Sequence, residues 1–234
     1  MPSTHPEDVI NSVSDLFFLF ERRWTVSERA IFRGEPAHYP NNLCPSIFRT
    51  GTPSDEFGDY ERFFSRYSAS SERDYMFDRL FPGASPLSLP AVALAQHYGE
   101  KTRLMDVTFN PLVALYFATL SHETEDGFVF AYFHNYLDIT TATSERSLSA
   151  LVSSDRIGEY RPLPDTLLLY RPEWHNIRSA AQSGAFVFTK GFHQNLWGGG
   201  ATLRVPAAKK SEIKLQLERF GIVSEHLFPQ FENP

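Results

Sequence analysis

The run NPLVALYFATL, residues 110–120, describes a helix with no polar side, and it dictates much of what can surround it. Asparagine caps free amides at a helix start, and proline takes the first helical position without losing a hydrogen bond, so Asn110 and Pro111 mark the beginning. Leu112, Leu115, Tyr116 and their neighbours are apolar almost all the way round. Such a helix must be covered on every side, which needs a chain able to bury a large core. With 234 residues, 42% of them hydrophobic and 21 of them Phe, this chain has that capacity within a single domain over residues 1–234.

The stretch feeding that helix carries the chemistry. TRLMDVT, residues 102–108, runs into the helix N-terminus, where unpaired amides and the helix dipole favour a negative group. Two readings stay open on the residues alone. In one, Arg103 and Asp106 bond each other or the helix end and hold a turn. In the other, Arg103 or the helix end meets a ligand phosphate while Gln96 and His97 line the same cleft, with His97 and Asp106 available for acid–base work.

Around this centre the periodicities predict an amphipathic helix over Glu7 to Trp24 and a short strand, Ala30 to Gly34, with Arg33 at its exit. One or two helices follow over Glu56 to Leu80, and another begins near Ala91 after the proline-rich FPGASPLSLP. Apolar β-rich runs then come at Gly127 to His134, Asp165 to Pro172, Gly184 to Gly191 and Ala201 to Ala207, before a helix over Lys210 to Phe220. Helices first and strands later predict an α+β domain with a mixed or antiparallel sheet and N-terminal helices. No GxGxxG or P-loop glycine pattern is present.

The formal net charge of −6 argues against a broad basic face for nucleic acid, though a local basic cleft is compatible with it. A single cysteine, Cys44, excludes an internal disulfide, and LCPS offers it no neighbouring base. The eight histidines lack paired metal-ligand spacing, so no metal site is expected. Neither a secretory leader nor a membrane span is legible, and a cytoplasmic location without membrane contact is expected.

The order of IFRGE, CPSIFR, Glu61, LAQHYGEKTRLMDVTFNPLVALYFA and FGIVSEHLFPQFE resembles the FRG domain family, named for its Phe-Arg-Gly motif. Met105 and Val107 stand where relatives usually carry Leu and Trp. The aromatic-Arg-Gly strand also resembles the first motif of ADP-ribosyltransferases of the Arg-Ser-Glu type. That resemblance implies an ADP-ribosyltransferase-like fold, NAD as cofactor, and transferase or NAD glycohydrolase activity. It implies Arg33 on the cofactor's phosphates or ribose, with Thr102 or Thr108 shaping the nicotinamide pocket and Tyr98 or Phe117 stacking there. Gln96 and Arg103 join the cofactor-binding set, and Gln182 supplies the late polar element. No Glu-x-Glu or Gln-x-Glu follows Gln182, so the catalytic carboxylate is open among Glu61, Glu35, Asp106 and Glu173. The resemblance further implies a toxin or antiviral effector modifying RNA, steered by Arg171, Arg178 and Lys190, and restrained by an antitoxin or chaperone. A non-catalytic nucleic-acid or protein interaction module is the alternative.

Overall fold

The computed structural model describes residues 8–23, 30–39, 43–49, 55–70, 79, 81, 83, 85–132, 136–140, 167–172, 180–189 and 200–229. Helix α1 (Val13–Arg23) buries Val13, Leu16 and Phe20 of the stripe its spacing predicts, with Leu19 in place of Phe17, which is exposed. It starts later than Glu7 because the preceding residues pair elsewhere: Ile10 N–H donates to the Arg204 carbonyl at 2.8 Å, and Arg204 N–H to the Asp8 carbonyl at 2.8 Å. Strand β1 (Ile31–Glu35) follows, then helix α2 (Glu56–Ala69), capped by Asp55, and helix α3 (Leu89–His97), capped by Ser88.

TRLMDVT is not a link to the apolar helix but strand β2 (Leu104–Thr108), and the helix itself is α4 (Pro111–Thr119). Asn110 Oδ1 accepts from Leu112 N–H at 2.9 Å, the cap that asparagine predicts. The later strands are β3 (Gly127–Tyr132), β4 (Tyr136–Asp138), β5 (Leu167–Tyr170), β6 (Gly184–Phe188) and β7 (Gly200–Val205). Helices α5 (Lys210–Arg219) and α6 (Ser224–Leu227) close the described chain.

The strands form one mixed sheet in the order β4-β5-β6-β2-β1-β3-β7, antiparallel between neighbours except for the parallel β4–β5 pair. The α+β expectation with a mixed or antiparallel sheet therefore holds. One sheet face carries two apolar clusters side by side. Over β1, β3 and β7 lie α1, α4 and α5, with Phe32, Val129, Ala131 and Leu203 below them. Over β2, β5 and β6 lie α2 and α3, with Leu104, Leu168, Tyr170 and Phe188 below.

Helix α4 lies directly on the sheet. A Cβ built on Gly34 would come within 1.8 Å of the Ala114 carbonyl oxygen, and one on Gly127 within 2.1 Å of the Ala118 carbonyl oxygen. Glycine at both positions is what lets helix and strands approach this closely. Gly34 thus serves packing on the helical side of β1. Lys210 fastens the other end: its buried Nζ donates to the carbonyls of Pro36 at 2.6 Å, Ser121 at 2.9 Å and His122 at 2.9 Å. Burial pushes this lysine below its ordinary pKa, while nearby carboxylates, Asp126 foremost, oppose the shift.

Candidate active site

The central pair of strands does not stay together. β1 stays in register with β3 from Ile31 opposite Tyr132 to Glu35 opposite Phe128, and β2 with β6 from Leu104 opposite Phe188 to Thr108 opposite Gly184. Between β1 and β2 the register is Phe32 with Thr108, and beyond that position the strands part. The parting removes backbone partners from the middle of a sheet, and those groups need others. Arg33 supplies one, its NH1 donating to the Asp106 carbonyl at 2.8 Å across the gap.

Asp106 is the anomaly of β2. Leu104, Met105, Val107 and Thr108 are buried, yet Asp106 between them is exposed. A carboxylate open to solvent at the centre of a sheet requires a cavity above it, and one is present. A cleft of about 290 Å³ has Phe32, Thr108 and Phe186 on the sheet side, Gln96 and His97 from the end of α3, and Phe117 from α4. Gln182 and Pro172 complete its rim. A second cleft of about 280 Å³ lies against the turn that contains Cys44, Ser46 and Arg49. Arg33, Gln96 and Asp106 line both, so they form the divide between the two.

That divide is held by short contacts. Gln96 Nε2 donates to Asp106 Oδ2 at 2.8 Å. The Thr102 hydroxyl donates to Gln96 Oε1, which fixes the amide with its NH2 toward the aspartate. Arg33 Nε donates to Glu35 Oε1 at 2.9 Å, while Glu35 Oε2 is buried without a hydrogen-bond partner. Arg33 stands in the middle of β1, not at its exit; its side chain starts from the sheet face opposite α4, and its guanidinium reaches the gap between β1 and β2, where it lines both clefts.

Several residues singled out from sequence are brought together and others are not. Arg33, Gln96, His97, Asp106, Thr108, Phe117 and Gln182 meet at the first cleft. Thr108 donates to the Gln182 carbonyl at 2.7 Å, and Gln182 Nε2 to the Leu227 carbonyl at 3.0 Å, tying the cleft rim to α6. Thr102 is fully buried behind Gln96 and acts through that amide instead of shaping a ligand pocket. Glu61 is exposed on α2, beside Arg62 and Arg66 in a separate surface hollow, because the apolar stripe of that helix runs through Tyr60, Phe63 and Tyr67. Tyr98 turns away toward Phe63 and Tyr67, with ring centroids 6.0 and 5.6 Å apart. Glu173, Arg178 and Lys190 lie outside the described residues. Arg171 pairs with Asp138.

Arg103 is the largest departure. It neither pairs with Asp106 nor reaches a cleft lining: its Nε donates to both oxygens of buried Glu56, at 2.8 and 2.7 Å, and its guanidinium stacks over Phe48 at 5.0 Å. Tyr60 donates its hydroxyl to the same carboxylate at 3.1 Å, and burial pushes that phenol well above its ordinary pKa, with Glu56 adding to the rise. The expectation failed because Arg103 precedes β2 and its side chain meets Glu56 of α2, a helix distant in the chain, before the strand begins. Cys44 is inert by environment. Burial raises its thiol pKa, Arg49 pulls it back, and Glu35 raises it further.

Sequence reasoning missed Glu35 as the partner of Arg33 and Arg49 as a cleft residue. The first was legible as an i, i+2 pair on one strand face; the second had no signal beyond its place in CPSIFR. Among the described residues, no group of three or more His, Cys, Asp or Glu is placed to hold a metal ion, and no helix is long and apolar enough to cross a membrane. The chain matches no curated protein and no solved structure. Residues 28–127 match the family model of the FRG domain, a span that contributes β1, β2, α3 and α4 and with them most of the first cleft. Over those residues, less than half of the chain, the protein is similar to the FRG domain family.

Proposed function

We propose that the two joined clefts bind NAD and that the protein transfers its ADP-ribose, with RNA the expected acceptor, on a sheet of the ADP-ribosyltransferase type. The observation that carries this reading is Asp106: an exposed carboxylate on an otherwise buried central strand, at the junction of two clefts and beside an arginine. Each cleft is close to the lower limit of small-ligand sites, roughly 300 Å³, so a dinucleotide fits as two halves across the divide better than as one unit. Phe117 and Phe186 offer the first cleft flat apolar surface for a heteroaromatic ring.

NAD supplies a glycosidic bond whose cleavage develops positive charge on the ribose. Within this chain, Asp106 places a carboxylate where such charge is offset, and Gln96 holds that carboxylate in one orientation. Arg33, steadied by Glu35, presents a cation for phosphate oxygens at the divide. His97, on the lining of the same cleft, is the side chain available to exchange a proton with an acceptor. An effector of this chemistry is expected to inhibit growth of its host unless an antitoxin or chaperone restrains it.

The test is incubation of the full chain with adenylate-labelled NAD and, separately, RNA, DNA and cell lysate. Release of nicotinamide with label on RNA is the expected result. Consumption of NAD without transfer reassigns the activity to glycohydrolysis. Unchanged NAD together with retained RNA supports the interaction module.

A further inference from the structure

The CPSIFR turn has no role in the reading above, and its geometry points to one. We propose that the second cleft is a phosphate subsite and that Arg49 is its principal ligand, binding the diphosphate of the dinucleotide whose other half fills the first cleft. This rests on the nucleotide reading of the first cleft.

Among the described residues, Arg62, Arg66, Arg103, Arg171 and Arg204 each pair with a carboxylate. Arg49 does not. Its Nε donates to the Cys44 carbonyl at 3.2 Å, which fixes the plane of the guanidinium and leaves the NH1 and NH2 edge without a partner there. It is exposed, and it lines the second cleft together with Arg33. A guanidinium anchored through Nε with its other edge open matches the two-point geometry with which arginine grips phosphate oxygens.

The turn presenting it is rigid for reasons visible in its contacts. Thr102 N–H donates to the Ser46 hydroxyl at 3.0 Å, and Ile47 N–H to the Thr102 carbonyl at 3.3 Å, so the turn is laced to the chain entering β2. Ile47 and Phe48 are buried beneath it. Arg49 is therefore presented on a fixed support rather than a loose loop, so binding needs little side-chain or loop ordering. The aromatic surface lies in the first cleft, Asp106 and Arg33 on the divide, and Arg49 in the second cleft. A ligand with a flat ring, a sugar and an anionic bridge has its groups in that same order.

The test is calorimetric titration of the full chain and its Arg49→Gln and Arg49→Lys variants with NAD, ADP and nicotinamide riboside, with melting temperature as the fold control. Arg49→Gln is expected to weaken NAD and ADP by about 10- to 100-fold, the range of one or two charge-assisted hydrogen bonds, and to leave the phosphate-free riboside unchanged. Arg49→Lys should recover part of the loss. Equal weakening of all three ligands, or none, overturns the assignment, since Arg49 would then shape the turn or face solvent. If the variant loses a single-stranded RNA oligonucleotide while NAD binding holds, the cleft serves acceptor phosphates and the diphosphate assignment falls. ADP binding that depends on Arg49, in a protein that never consumes NAD, sustains the subsite and refutes the transferase reading. Failure of the wild type to bind any of the nucleotides sinks both.

Discussion

Replacing Arg103 by alanine tests whether this arginine belongs to the fold or to a ligand. The Arg103 and Glu56 side chains are 10% and 6% exposed, so removing the guanidinium strands a carboxylate where water cannot solvate it. Tyr60 still donates one hydrogen bond to that carboxylate, but one neutral donor does not replace a cation bonded to both oxygens. Breaking a buried pair from one side costs about 3 to 5 kcal/mol, a large share of a typical total of roughly 5 to 15 kcal/mol. For a chain of this size the melting temperature should fall by about 6 to 20 °C. Urea unfolding followed by far-ultraviolet circular dichroism measures the loss. The double variant Arg103→Met with Glu56→Leu, which removes both charges and keeps the volume, should recover most of it. A variant Arg103→Ala that melts within a degree of the wild type yet no longer binds nucleotide would refute this reasoning and return Arg103 to the ligand.

Asp106→Asn should lower transfer by roughly 100- to 1000-fold with little change in melting temperature, because the side chain is exposed and its bond to Gln96 can be kept; a kinetic and thermal comparison decides it. Arg33→Ala should abolish activity through loss of nucleotide binding in a folded protein, and outright unfolding on calorimetry would make the arginine structural. Gly34→Ala drives a methyl group into the Ala114 carbonyl, so the cost should sit at or beyond the top of the roughly 1 to 3 kcal/mol range for overpacking, read from denaturant midpoints. Asp126 is held below the ordinary carboxylate pKa of 3.8: burial works to raise it, but the Ala207 N–H and Arg204 outweigh that. Its contribution is full above that ordinary value and fades as pH falls through the folded one. Asp126→Asn should therefore flatten the acid limb of the stability–pH curve.

Much of the fold could be read in advance because its elements are locally consistent. The apolar helix with its Asn-Pro start, the late β-rich runs and the helix after Lys210 all carry both periodicity and termini in their own residues. β2 did not, since Asp106 interrupts an otherwise apolar run, and a charge in mid-strand reads as a loop. That interruption is legible only once a cleft is known to lie above it. The site was half visible for the same reason. Arg33, Gln96, His97, Thr108 and Gln182 were named from motif order, whereas Arg103 and Glu61 were misplaced because sequence proximity says nothing about which covering helix a side chain meets. Glu56, which claims Arg103, lies far from it in the chain and is brought near by the packing of α2 on the sheet.

The position of the family-matched residues within the sheet has a consequence for how this protein can be divided. Residues 28–127 provide β1 and β2, two neighbouring strands at the middle of the sheet, while the strands flanking them, β3 and β6, lie almost wholly beyond residue 127. Lys210, also beyond it, binds carbonyls at Pro36, Ser121 and His122. The matched span is thus a keystone without its arch. Excised alone it would expose two strand edges and the floor of its own cleft, and it should aggregate rather than fold. Transplanting the motif into another protein would have to carry residues through α6 as well, so recombination that respected only the motif's limits would yield inactive chimeras.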